Sequence, residues 1–126
     1  PVNKFLDDGL RVGLATDVAG GSHESMLRAM THAIQASKLR WRLYDQEVKP
    51  LPFERAFYLA TMGGGAFFGN VGSFLDGYEF DAVVLDDASL DHPQELSVRA
   101  RLERAAYLAD DRNLTAKFVA GQKILG

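Results

Sequence analysis

The sequence predicts an α/β fold, and three observations carry that expectation. The run Leu10-Arg11-Val12-Gly13-Leu14-Ala15-Thr16-Asp17-Val18-Ala19-Gly20-Gly21 reads as a short apolar strand that ends on an aspartate and breaks at once into a glycine loop. Strands buried on both faces show apolar runs rather than alternation. A long segment of helical periodicity follows, and the last third of the chain changes to period two, with a clear strand at Ala82-Val83-Val84-Leu85. A carboxylate at the C-terminal lip of a buried strand stands where parallel α/β proteins place their chemistry. Asp17 is therefore the first candidate residue.

Composition bounds the rest. The 126 residues are 47% hydrophobic and 25% charged, which is the balance of a soluble globular domain. The net charge is -3, with both signs interspersed. There is no basic stripe of the kind that neutralises phosphates, so a nucleic-acid partner is not expected. No apolar run approaches the ~20 residues that span a bilayer, and the opening Pro1-Val2-Asn3-Lys4 lacks a signal-peptide core. Without cysteine there is no disulfide, thiolate ligand or thiol nucleophile. A cytoplasmic protein with no membrane partner is the expectation.

Taken in order, the elements expected after the glycine loop begin with a helix over 24–43, capped by Ser22. Met26, Leu27, Met30, Ala33, Ile34 and Trp41 recur in it at helical spacing, and Lys38, Arg40 and Arg42 suit the negative end of its dipole. Pro50-Leu51-Pro52 breaks the chain and starts a second helix over 53–62, with Phe53, Ala56, Phe57 and Ala60 on one side. Gly63-Gly64-Gly65 ends or kinks it, and 66–69 adds one further turn. Residues 72–80 carry an Asp-Gly turn signal within a period-two pattern, ahead of the strand at 82–85. A third helix is expected over 93–108, with Leu96, Arg99, Leu102 and Ala106 near one stripe. A hairpin over 116–125 turns at Gly121-Gln122.

Three segments carry a family resemblance. The first is Thr16-Asp17-Val18-Ala19-Gly20-Gly21 followed by Ser25-Met26-Leu27. The second is Ala60-Thr61-Met62-Gly63-Gly64 with Ala66, continuing to Gly69 and Gly72-Ser73-Phe74. The third is Gly77-Tyr78-Glu79-Phe80-Asp81-Ala82-Val83-Val84-Leu85. In this order they resemble the closing part of the amidohydrolase superfamily. Glu79-Phe80-Asp81-Ala82 and the late run Tyr107-Leu108-Ala109-Asp110-Asp111-Arg112-Asn113 are similar to its guanine deaminase branch.

The resemblance implies the C-terminal part of a metal-dependent hydrolase TIM barrel with a returning small β-sandwich segment. Residues 1–70 would hold the last barrel strand and the barrel-closing helices. Residues 71–126 would return to the sandwich with one intervening helix. A complete barrel needs about 250 residues, so a piece of a longer enzyme, inactive alone, is expected. The implied activity is hydrolytic deamination of guanine to xanthine and ammonia at a Zn²⁺ centre. Asp17 would be both metal ligand and proton acceptor, while the family's histidine ligands and proton-shuttling glutamate find no counterpart in these residues. A small-molecule purine would be the substrate and a homodimer the assembly. The open edges of a strand at 10–16 independently favour self-association. Another aminohydrolase acting on a triazine, a pterin or a different nucleobase is the nearest alternative, and a non-catalytic interaction module of the same descent is the alternative from another class.

The remaining conspicuous residues have bland readings beside sharper ones. His23 follows Asp17 by six positions and is read as an exposed loop or helix-start residue rather than a substrate contact. His32 is read as a helix-surface or packing residue, and His92 as a capping-region one. Gly20 and Gly21 admit two readings, a close pass to a planar ring or simply a tight strand-to-helix turn. Phe67 and Phe68 are assigned to core packing. Arg99, Arg101 and Arg104 share a helix with Glu95 and Glu103, which reads as a solvated face with i,i+4 pairing. Asp110, Asp111 and Arg112 read as a loop ion pair or interface contact, since no Ca²⁺-loop spacing accompanies them.

Overall fold

Capping serines decide where the two longest helices begin. A computed structural model describes residues 1–126 and contains α1 (Val2–Asp7), α2 (Met26–Leu43), α3 (Phe53–Tyr58) running into one π-helical turn (Leu59–Gly63), and α4 (Val98–Leu108). The hydroxyl of Ser25 accepts the Arg28 N–H at 3.5 Å and starts α2. Ser97 does the same for α4 through the Ala100 N–H at 3.3 Å. The expected cap at Ser22 is thus displaced by three residues, because 17–24 is consumed by a turn. The expected helix start at Pro93 is likewise replaced by an irregular stretch.

The core is small. Met30 and Ile34 of α2, Leu51, Phe53 and Ala56 of α3, Leu59 of the π turn and Ala106 of α4 form one buried cluster. Phe57, expected on the buried stripe of the second helix, leans outward with its ring stacked 6.1 Å from Phe53, and Leu59 takes the buried place. On α4 the buried pair is Ala105 and Ala106, whereas Arg99 is exposed and Leu96 lies ahead of the helix. Two polar side chains close the gaps between elements. Buried Asn3 donates to the Lys49 and Pro50 carbonyls at 2.8 and 3.0 Å, and Ser37 Oγ accepts the Leu51 N–H at 2.8 Å.

The β part is a three-stranded antiparallel sheet in the order β1-β2-β3, built from β1 (Ala82–Leu85), β2 (Leu114–Val119) and β3 (Gln122–Leu125). A 3₁₀ turn (Asp111–Asn113) leads into β2. The β2–β3 turn is Ala120-Gly121, one residue earlier than expected, with φ of 47° and 78°. Two consecutive positive φ values are the signature of the type I′ turn, whose twist matches the flanking strands. Asp81 locks this turn to β1, because its Oδ1 accepts the Ala120 N–H at 2.8 Å and the neighbouring Phe80 carbonyl accepts the Gly121 N–H at 2.9 Å. Residues 72–80 form bends and turns rather than strand, with Phe74, Phe80 and Phe118 in a chain of ring contacts at 5.8 and 5.5 Å. The observed class is α/β, but these residues form no parallel barrel sheet and no second layer of a sandwich.

Buried Asn113 ties the loop after β1 to β2, donating to the Asp86 carbonyl at 2.8 Å and to Ser89 Oγ at 3.0 Å. The arginines of α4 do more than the expected i,i+4 pairing. Arg99 does pair with Glu103 at 3.2 Å and also with Glu54 of α3. Arg101 grips Asp87 with two hydrogen bonds of 2.7 Å, and Arg104 donates to the Leu90 and Asp91 carbonyls.

The hydrogen bonds from Arg101 hold the Asp87 carboxyl below its ordinary value. A depressed carboxylate contributes stability above its unfolded pKa, near ~3.9 for aspartate, and loses it as the pH falls through the folded value. Replacing Arg101 by Gln is therefore expected to lower stability slightly at neutral pH. The gap to wild type should narrow below about pH 4, and it should shrink in high salt because the pair is exposed. Urea unfolding across a pH series measures both effects.

Candidate functional site

The segment that carries Asp17 is extended but is not a strand. Residues 10–16 have no β partner in this chain, which corrects the expectation of a strand there. The physical reason is that a strand exists only through neighbours to which its N–H and C=O groups bond. Its side chains alternate: Val12 and Leu14 are half-buried against the core, while Arg11 and Ala15 are exposed. What holds the segment is the π turn, where the Leu14 N–H donates to the Leu59 carbonyl at 2.9 Å.

Glycine permits this approach. A Cβ on Gly13 would lie 2.9 Å from the Gly64 Cα, and one on Gly63 would lie 2.6 Å from the Val12 carbonyl oxygen. The glycine run of the second motif and the apolar run of the first, some fifty positions apart in sequence, are thus packed backbone to backbone.

Beyond Thr16 the chain reverses on Asp17 itself. Asp17 has φ of 52° and Ala19 of 75°, the left-handed region that few non-glycine residues occupy. The Asp17 carbonyl accepts the Gly20 N–H at 2.9 Å and also the Gly21 N–H. The Asp17 side chain is exposed and has neither a hydrogen-bond nor an ion-pair partner. Next to it Val18, Ala19, Gly21, Ser22, His23 and Glu24 line a shallow, open depression.

An exposed, unpartnered carboxylate on a tightly turned backbone fits one oxygen ligand of a metal ion. It does not make a centre alone, since no group of three or more His, Asp or Glu side chains gathers anywhere in the chain. A zinc site needs three or four protein ligands.

Residues 1–124 match the amidohydrolase family. The chain belongs to that family. Among curated relatives it is similar to the guanine deaminase of Dictyostelium discoideum, 33% identical over 98% of this chain and 29% of the relative. It resembles the human guanine deaminase at 33% identity, over 98% of this chain and 30% of that one. The structure superposes on the guanine deaminase of C. acetobutylicum, solved with guanine bound in its active site, with a TM-score of 0.92 and 42% identity. That match covers 99% of this chain and 30% of the other. The E. coli guanine deaminase superposes with a TM-score of 0.79 at 28% identity, covering 98% of this chain and 29% of that one. This amidohydrolase chain thus spans about three tenths of the length of the relatives it matches.

The other sequence candidates sort clearly. His23 is exposed, and its Nδ1 lies 3.3 Å from the Ser25 N–H, so it shapes the loop that enters α2. His32 lies on the exposed face of α2 with Nδ1 3.5 Å from Ser22 Oγ. His92 takes part in a turn through the Gln94 N–H at 3.1 Å, well ahead of α4. Phe67 and Phe68 are not core residues, which corrects their assignment: they are 87% and 78% exposed and meet edge to face at 5.1 Å. They lie on the turn that follows the helical run, past the stripe that Phe53, Ala56 and Leu59 bury. Asp110 pairs with Arg112 at 2.6 Å and caps the 3₁₀ turn, as a loop ion pair should. No helix in the chain is long and apolar enough to cross a membrane.

What sequence reasoning missed is the junction of Leu14 with Leu59. Its only trace in the sequence is the triple glycine, which reads as an end or a kink of the helix. Replacing Gly63 by Ala drives a methyl group into the Val12 carbonyl, a backbone obstacle that moves only if the segment moves. Overpacking of this kind is expected to cost about 1–3 kcal/mol. Chemical denaturation of the intact protein measures it, and a Gly63→Ala variant of wild-type stability would refute the packing described.

Proposed function

We propose that this chain is the closing part of a zinc-dependent guanine deaminase, converting guanine and water to xanthine and ammonia. The observation that carries the reading is the Asp17 carboxylate. It stands exposed and unpartnered in a chain whose backbone follows that of a guanine deaminase with guanine in its active site. On this reading residues 1–70 contribute the last strand and closing helices of a TIM barrel, and residues 71–126 return to a small β-sandwich. Few residues are buried, 12 of 126, and large apolar side chains such as Val18, Phe67, Phe68 and Phe74 lie open, which favours a chain completed by further segments. The histidine ligands and the glutamate that serves the purine ring would come from those segments. A homodimer in the cytoplasm is the corresponding assembly and place.

A bound Zn²⁺ lowers the pKa of its water to about 7 and so provides hydroxide at neutral pH. Asp17 would hold the ion through one oxygen and would take the proton of the water whose oxygen adds to the ring carbon bearing the amine. The C–N bond then breaks, and the proton goes to the departing nitrogen, which leaves as ammonia. Aspartate suits both duties because its two side-chain torsions leave little reach. The left-handed turn that wraps its own carbonyl with two N–H groups holds the Cα still. Ser22, His23 and Glu24 form the rim beside it.

The test is Asp17→Asn in the full-length enzyme. Asparagine keeps the size and one oxygen but has neither the charge nor the capacity to take a proton. Guanine turnover is expected to fall by roughly 10²–10⁴-fold, the range for lost general acid–base catalysis, while zinc content falls less. Asp81→Asn serves as the comparison, because Asp81 holds the β2–β3 turn: it should lower thermal stability and spare the rate per folded molecule. Near-normal turnover by zinc-loaded Asp17→Asn enzyme would refute the assignment. Deamination of a triazine or pterin in preference to guanine would move the substrate to another ring.

A further inference from the structure

We infer that Gly20 is a positioning residue for the Asp17 carboxylate: having no side chain, it leaves open the space that the carboxylate occupies. The inference deepens the reading of Asp17 proposed above and rests on it.

The two glycines of the loop look equivalent in sequence, and the structure gives them different duties. Neither has a positive φ, so the backbone conformation at these positions does not itself call for glycine. What separates them is what a Cβ would meet. At Gly21 it would overlap the Thr16 carbonyl oxygen and lie 3.0 Å from the Asp17 carbonyl oxygen, both fixed backbone atoms. At Gly20 the three nearest atoms are Oδ2, Cγ and Oδ1 of Asp17, at 2.9, 3.3 and 3.3 Å, all belonging to one side chain.

These obstacles yield differently. A backbone carbonyl moves only if the turn is rebuilt, so a methyl at 21 acts on the fold. A carboxylate at the end of two rotatable bonds escapes by turning, so a methyl at 20 acts on where Asp17 points and costs the fold little. The Gly20 N–H meanwhile donates to the Asp17 carbonyl at 2.9 Å. The same residue therefore fastens the Asp17 backbone from one side and clears its carboxylate on the other. For a group that must reach both a metal ion and a water proton, a displacement near 1 Å costs on the order of 10²-fold in rate.

Single substitutions in the full-length enzyme decide the matter. Gly20→Ala is expected to keep the melting temperature within ~2 °C of wild type. Its kcat for guanine should fall about 10²-fold with a smaller change in KM. The acid limb of the kcat–pH profile should shift, and its crystal structure should show the Asp17 carboxylate rotated away from residue 20. Gly21→Ala should show the opposite balance, a clear loss of melting temperature.

An unchanged kcat and pH profile in Gly20→Ala would overturn the inference. So would a fall in melting temperature equal to that of Gly21→Ala, because Gly20 would then serve the turn alone. The functional reading fails separately, if wild-type enzyme does not deaminate guanine or if Asp17→Asn retains turnover. The crystal structure of Gly20→Ala then decides the positional claim, with a rotated carboxylate upholding it and an unmoved one overturning it.

Discussion

The Leu14 N–H that reaches the Leu59 carbonyl is the one backbone hydrogen bond made by residues 11–16, and the placement of Asp17 follows from it. A carbonyl has two lone pairs, and Leu59 uses both, accepting from Gly64 within its own turn and from Leu14 across the gap. In an α-helix the Leu59 carbonyl would bond four residues on. The π turn moves that partner to the fifth residue, widens the helix locally and presents the oxygen sideways. One hydrogen bond contributes only about 0.5–1.5 kcal/mol net, so it sets the register while packing supplies the hold. Val12 and Leu14 lean on the core cluster, and the missing side chains at 13 and 63 let the two backbones close to contact.

Downstream of that anchor the chain concentrates its backbone strain. Asp17 and Ala19 both lie at positive φ, a state that costs roughly 1–3 kcal/mol per residue unless its surroundings enforce it. Enforcement comes from the two N–H groups folded onto the Asp17 carbonyl and from the Ser25 cap, which starts α2 only four residues after Gly21. An anchored segment on one side and an 18-residue helix on the other leave the intervening turn few alternatives. The carboxylate at its apex is consequently held by backbone, with no side-chain partner to neutralise it.

Elements whose determinants are local could be read from the sequence. The strand at 82–85 and the ends of α2 at Leu43 and α4 at Leu108 fall where period and composition place them. The β2–β3 turn was misplaced by one residue because Ala120, not Gln122, shares the left-handed conformation with Gly121. Elements set by distant partners were not legible. Residues 10–16 carry the composition of a strand, yet a strand is a relation between chains of hydrogen bonds and none lies alongside. Period places Phe57 on the face of Phe53, yet its ring leans outward on the Phe53 ring while Leu59 takes the buried place. Phe67 and Phe68 read as core from their place on a turn after the glycine run, yet they lie open in this chain. At the candidate site, Asp17 stood out by its place at the end of an apolar run. Its left-handed conformation is not fixed by residue type, because aspartate tolerates that region without requiring it.

The glycines of this chain show why counting them says less than locating what they face. Gly13 and Gly63 face backbone across the anchor, Gly21 faces backbone within the turn, and Gly20 faces a carboxylate. Those that face backbone hold the fold in register, and a substitution there is felt as lost stability. One that faces a mobile side chain leaves the fold alone and acts on where that side chain points. The motif Asp17-Val18-Ala19-Gly20-Gly21 therefore joins two requirements in adjacent positions: a turn closed tightly enough to fix the Asp17 backbone, and an opening beside its side chain wide enough for the carboxylate to face outward. Tightening the turn with any larger residue at 20 would meet the first requirement at the expense of the second. Two adjacent glycines satisfy both without lengthening the loop.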